Sequence, residues 1–218
     1  RQMCIRDSLQ VAKKGPKDFV TNSDKKTEKV LINELTKNKK KYSILSEEIG
    51  FIENNYNDYI WVIDPIDGTT NFLHGIPHFC ISIGLKFKDE IISGIIFDPI
   101  KNEIFYAEKN QGAFFNNHRI RVSKRKNLDE CLFATNKNGL SSSDLNARIF
   151  GSAALDLAYV ASGRIDGYFQ NGLKLWDIAA GTLLVKEAGG IVNNYDLEKT
   201  NNIKVVASSE NINQKMLN

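Results

Sequence analysis

The chain has 218 residues, 42% of them hydrophobic and 25% charged, with a formal net charge of +3. That supplies a sizeable core, and no run approaches the roughly 18 to 20 apolar residues that a membrane helix needs. The basic residues fall in short groups (Lys13, Lys14, Lys17; Lys37, Lys39, Lys40, Lys41; Lys124, Arg125, Lys126) that read first as solvated faces, with a nucleic-acid patch as the alternative.

Residues 1–8 carry no helical or strand period and no signal-peptide pattern, and are set aside as non-native or disordered sequence. From Thr21 the pattern Thr-x-x-Asp forms a capping box. It predicts a helix over 25–35 with Val30, Leu31 and Leu35 along one side and Asp24 in the first turn. Residues 43–45 read as a short strand ending in Ser46-Glu47-Glu48. The apolar run 59–63 is a strand leading into Asp64-Pro65-Ile66-Asp67-Gly68-Thr69-Thr70-Asn71, so the local order is strand, acidic turn, helix start. Strands over 79–87, 91–97 and 103–107 form an antiparallel meander, and further strands are expected at 113–115, 120–122 and 132–135. The segment 136–146, rich in Asn, Ser and Gly, reads as a loop. Ser152 opens a helix of small residues through Ala161, closed by Gly163. A strand over 166–170 follows, then a helix from Asp177 through Ala188 ended by Gly189-Gly190, and a last strand over 205–208. This order predicts an α/β protein in layers, with no internal repeat. Residues 9–218 read as a single domain with an N-terminal part, 9–125, and a C-terminal part, 126–218.

Cys4, Cys80 and Cys131 are odd in number and widely spaced, with no CxxC pair. They suit neither a disulfide framework nor a zinc site, and fit a reducing, cytoplasmic home. Cys80, inside an apolar strand, reads as a core residue. His74, His78 and His118 read as surface or loop residues, and Trp61 and Trp176 as packing supports beside acids.

Asp64 and Asp67 stand three residues apart in a turn containing Pro65 and Gly68, so both carboxylates and the Ile66 carbonyl can face one pocket. Oxygen ligands of this kind suit Mg²⁺, which keeps several waters and completes its shell with phosphate. Taken alone, the motif leaves open an ordinary Asp-rich turn. Gly68 to Asn71 start a helix directly afterwards, and helix N-termini offer unpaired N–H groups to anions. Thr69 can orient a water or simply cap that helix.

Trp61-Val62-Ile63-Asp64-Pro65-Ile66-Asp67-Gly68-Thr69-Thr70-Asn71-Phe72 resembles the first signature of the inositol monophosphatase family. Leu175-Trp176-Asp177-Ile178-Ala179-Ala180-Gly181, followed by Glu187-Ala188-Gly189-Gly190, resembles the second. Asp18 to Asp24 and Leu45-Ser46-Glu47-Glu48 are similar to its upstream motifs, and Gly151 to Asp156 to its substrate-side helix. The resemblance runs from about Leu9 to the C-terminus. It implies an α+β layered sandwich of alternating helix and sheet layers, a homodimer, and two to three Mg²⁺ per site. Glu47, Asp64 and the Ile66 carbonyl would hold one metal; Asp64, Asp67 and Asp177 a second; Glu47 with waters a third. Thr69, Glu47 and Asp24 would be catalytic, and Asp67, Gly68, Thr69, Gly151, Ser152, Ala153, Gln170 and Asp177 would meet the substrate. Five carboxylates so gathered would repel one another unless divalent cations supplied counter-charge.

The implied activity is hydrolysis of a small phosphorylated polyol or sugar, inositol-1-phosphate first, by metal-activated water. Histidinol phosphate, fructose 1,6-bisphosphate and 3'-phosphoadenosine are the alternatives within the family. Outside catalysis, some bacterial relatives resemble accessory factors that bind the transcription machinery. The chain departs from the family's pattern in three places. Gln170 stands where many inositol-phosphate hydrolysing members carry a glutamate, the stretch between Leu132 and Gly151 is short, and the N-terminal helix before Leu9 is not evident.

Overall fold

The computed structural model describes residues 11–15, 18–37, 42–136 and 145–217. The opening segment 1–8 and most of the expected 136–146 loop lie outside the described residues. Strand β1 (Val11–Gly15) pairs antiparallel with β2 (Asp18–Thr21), and helix α1 (Asn22–Thr36) follows. Next come β3 (Tyr42–Ser46), β4 (Gly50–Ile52), the long β5 (Tyr56–Asp67) and the short helix α2 (Thr69–His74). The meander β6 (Cys80–Phe87), β7 (Glu90–Asp98), β8 (Glu103–Glu108), β9 (Gly112–Phe115) and β10 (His118–Arg119) completes an eight-stranded sheet. Its order is β10-β9-β8-β7-β6-β5-β3-β4, antiparallel except where β3 meets β5.

A second sheet contains β11 (Phe133–Thr135), β12 (Ala147–Arg148), β13 (Gly167–Leu173), β14 (Ile191–Val192) and β15 (Ile203–Ser208), in the order β12-β11-β13-β15-β14. Helices α3 (Ala153–Ala161) and α4 (Leu175–Glu187) pack on each other between the sheets. Leu45 and Val62 point into this middle layer, while Ile44 and Ile63, one residue along, are buried outside it on the side where α1 packs on β5. On the second sheet Ala134 faces inward and Phe133 outward, where Ile212 of helix α5 (Glu210–Leu217) meets it. The layers therefore alternate helix, sheet, helices, sheet, helix, which is the layered α/β architecture expected.

Small residues let α4 lie on the first sheet. Gly84, Gly94, Ala107 and Ala113 are successive cross-strand partners, forming a trough from β6 to β9. A Cβ added at Gly84 would stand 2.9 Å from the Ala179 Cβ, and one at Gly94 2.8 Å from the Ala180 Cα. Asp177 lies in the first turn of the same helix, so the trough also sets where that carboxylate sits.

Several local expectations need correction. The buried side of α1 is made by Asp24 and Glu28, whereas Val30 is 60% exposed, because the helix turns acids instead of apolar residues toward the sheet. Residues 120–122 form no strand: the Ile120 N–H bonds Ala113 and the Val122 N–H bonds Ala188, so the chain leaves the sheet while both side chains stay against the core. Helix α4 begins at Leu175, before Asp177, and β5 continues through the acidic turn to Asp67.

Candidate active site

The acidic turn is a bulge in a strand. Asp64 pairs with Ser82 and Asp67 with Cys80, but the register shifts between them, so Pro65 and Ile66 loop out. Gly68 then adopts φ +93°, and a Cβ there would lie 3.1 Å from the His78 carbonyl and 3.3 Å from that of Gly151. Only glycine fits both the conformation and the space. Helix α2 starts at once, and the Thr69 hydroxyl has two acceptors, the Ile66 carbonyl at 3.0 Å and Asp24 Oδ1 at 3.4 Å.

Three aspartates are held by neighbouring N–H groups in a similar way. Asp64 Oδ1 accepts from Ile66 N at 3.0 Å, and Asp177 Oδ2 from Lys174 N at 2.8 Å. Asp67 Oδ2 accepts from Ser152 Oγ at 2.6 Å and from Ala154 N at 2.7 Å. Glu47 sits in the turn after β3, its N–H bonded to the Ile63 carbonyl at 3.2 Å, beside Asp64.

The electrostatics bind these groups into one site. Burial pushes the Asp64 carboxyl well above the ordinary range, and Asp67, Glu47 and Asp177 push it further. Burial likewise raises Asp67, against the hydrogen bonds from Ser152, Ala154 and Ala153. Asp177 is pushed up to about 8, first by burial, then by Asp67, with Glu47 adding to it. Among the described residues no three acidic, imidazole or thiol side chains close into a ready-made cage for one ion. The acids instead repel one another across a shared space, each of the three aspartates fixed by at least one hydrogen bond. This donor set fits hard cations such as Mg²⁺. The Ile66 carbonyl suits the same role, since it has a second lone pair beyond the one facing Thr69.

The expected site residues fall into two groups. Asp24, Glu47, Asp64, Ile66, Asp67, Gly68, Thr69 and Asp177 meet through the contacts and fields just described. Gly151, Ser152 and Ala153 lie on the other side of Asp67, where the Ser152 side chain is spent on that carboxylate and on capping α3. Gln170 Oε1 accepts from the hydroxyl of Tyr168 at 3.0 Å. Burial and the fields of Asp156, Asp67 and Asp177 raise the Tyr168 hydroxyl well above its usual range, which puts this strand beside the acids.

His78 lies in a loop, one of the two settings expected, but it is turned inward. Its side chain is 13% exposed, with Nε2 lying 3.6 Å from the Asp156 carboxylate and its ring against Phe150 and Tyr159. Burial pushes Asp156 up to about 6, although His78 opposes the shift. Asn71 is a further residue without an assigned role in the sequence reading: its amide bridges the His78 and Phe150 carbonyls at 2.8 and 2.7 Å. Cys80 is fully buried, and burial pushes its thiol well up, as suits a core residue. A cavity of about 350 Å³ lies elsewhere, at the Lys186–Glu187 end of α4. Along the helix that end is about 14 Å from Asp177, so the cavity is separate from the acids.

Residues 2–218 match the model of the inositol monophosphatase family. An inositol-1-monophosphatase of Mesorhizobium japonicum is 41% identical over 227 residues, covering 96% of this chain and 85% of that protein. The Nus factor SuhB of Escherichia coli K12 is 43% identical, over 87% of this chain and 76% of its own length. The crystal structure of the extragenic suppressor protein suhB from Bartonella henselae superposes with a TM-score of 0.90 at 43% identity, covering 99% of this chain and 90% of that one. With its site motifs in order along a matching layered fold, the chain belongs to the inositol monophosphatase family.

Proposed function

We propose that the protein hydrolyses a small phosphate monoester, inositol-1-phosphate, in a Mg²⁺-dependent reaction. One observation carries this reading: Asp64, Asp67 and Asp177, each fixed by a hydrogen bond, gather with Glu47 close enough for its charge to act on Asp64 and Asp177, around a turn that ends at Thr69. In this reading Glu47, Asp64 and the Ile66 carbonyl hold one cation, Asp64, Asp67 and Asp177 a second, and Glu47 with waters a third. When bound, the cations supply counter-charge for the acids and the phosphoryl group and lower the pKa of a water.

The residues do the rest by position. The single proton of Thr69 Oγ1 goes to the Ile66 carbonyl or to Asp24, which leaves the oxygen's lone pairs to receive a hydrogen bond from the attacking water. Asp24 or Glu47 then takes up the proton. The N–H groups of Gly68 and Thr69 at the start of α2, with Gly151, Ser152 and Ala153 across from them, bind the phosphate. Gln170 meets the hydroxyls of the polyol. As the new P–O bond forms, the ester P–O bond breaks, the leaving oxygen takes up a proton from solvent water, and the alcohol leaves.

The experiment is phosphate release from inositol-1-phosphate, histidinol phosphate, fructose 1,6-bisphosphate and adenosine 3',5'-bisphosphate, with and without Mg²⁺. Metal-dependent release, fastest on inositol-1-phosphate, supports the proposal; a different preference moves the protein to that substrate. The similarity to the E. coli Nus factor favours a second reading, binding to the transcription machinery. That reading expects co-purification with polymerase or RNA and no release from any of these esters.

A further inference from the structure

Helix α1 carries two buried carboxylates four residues apart, Asp24 and Glu28, and only Asp24 has a part in the reaction described above. Positions i and i+4 share a helix face, so both acids look toward the ends of β3 and β5. Glu28 Oε1 accepts hydrogen bonds from the Ser46 hydroxyl, from Glu48 N at 3.1 Å and from Ile49 N at 3.3 Å. These donors come from both sides of Glu47 in the chain. The Glu47 N–H is tied in turn to Ile63, next to Asp64. The Glu47 backbone is thus clamped between a helix carboxylate and the strand that bears the other acids.

Packing alone gives no reason for this arrangement. A carboxylate 2% exposed is costly to bury, and here it stands near a site already overloaded with negative charge. An apolar residue would fill the space without that cost. What an acid adds is an acceptor able to hold a hydroxyl and two backbone N–H groups in one fixed geometry.

We propose that Glu28 is a positioning residue that aims Glu47 at its cation, making α1 a splint across the site. Asp24 bonds Thr69 at the start of α2, just past β5, and about 6 Å further along the helix axis Glu28 fixes the turn after β3. The proposal rests on the reading above only in taking Glu47 as a metal ligand, so its test measures metal binding and not turnover.

Mn²⁺ binding is titrated by electron paramagnetic resonance, and Mg²⁺ binding by calorimetry, on the wild type, Glu28→Ala, Glu28→Gln, Glu47→Ala and the double variant Glu28→Ala/Glu47→Ala. Glu28→Ala is expected to weaken binding by about 10- to 100-fold, and Glu28→Gln, whose amide oxygen accepts from the same donors, to recover most of it. In the Glu47→Ala background the Glu28→Ala loss shrinks below about twofold, the mark of a residue acting through another. Unchanged affinity in Glu28→Ala, or the full loss repeated without Glu47, overturns the proposal. Should Glu28→Ala fail to fold, Ser46→Ala enters the same cycle. A loss of about threefold that vanishes without Glu47 supports the proposal, and an additive loss or none overturns it. A wild type that binds neither ion overturns the acidic-site reading and this proposal together, whereas normal binding by Glu28→Ala overturns this one alone.

Discussion

Asp64, Asp67 and Asp177 each give one oxygen to a neighbouring N–H; burial raises all three, and the neighbouring acids add to the rise of Asp64 and Asp177. A carboxyl whose pKa is higher folded than unfolded binds more protons in the native state. Stability of the metal-free protein therefore falls as the pH climbs from the ordinary carboxylate range toward the value of about 8 reached by Asp177. Melts of chelator-treated protein should show a midpoint that drops from about pH 5 to about pH 8, with a smaller drop in Asp177→Asn. A flat profile would mean that neither burial nor the neighbouring acids raise these carboxyls in the folded chain. Asp64, Asp67 and Thr69 were legible in the sequence because one turn holds them together. Glu28 was not, since its partners lie 18 to 21 residues away and a helical glutamate reads as solvated. The His78–Asp156 pair escaped for the same reason: its members belong to different elements.

At the scale of elements, the trough of Gly84, Gly94, Ala107 and Ala113 under α4 joins stability to the site. Gly94→Ala places a Cβ 2.8 Å from the Ala180 Cα, where the neighbour is backbone and cannot step aside. The expected cost is about 1–3 kcal/mol, read as a lower urea midpoint. Phosphatase activity should fall at temperatures where the variant is still folded, because the displaced helix carries Asp177. The long strands and both middle helices were legible from period and caps. The two-residue strands β10, β12 and β14 and the three-residue β4 were not, because so few residues display no period. At 120–122 the apolar alternation was real, but it serves burial and not pairing.

Over the whole molecule, the proposed ligands come from the turn after β3, the end of β5 and the head of α4, so a cation bound there joins sheet to middle layer. Ligand present at about 100 times its dissociation constant adds about 2.7 kcal/mol, which for a chain of this size raises the melting midpoint by about 5–10 °C. Mg²⁺ should produce that rise in the wild type and much less in Asp64→Asn. Layering was legible from the order of helices and strands. Sheet order was legible only along the meander β6-β7-β8; β3 lies beside β5, and β13 beside β15, through partners that only the folded chain brings together.

The central claim is tested most directly by phosphate release from inositol-1-phosphate in wild type and Asp67→Asn, each with and without Mg²⁺. The account predicts release that requires Mg²⁺ and falls by on the order of 10³-fold in Asp67→Asn. Release undiminished in that variant, or none from folded, Mg²⁺-loaded wild type on any of the four esters, would contradict it.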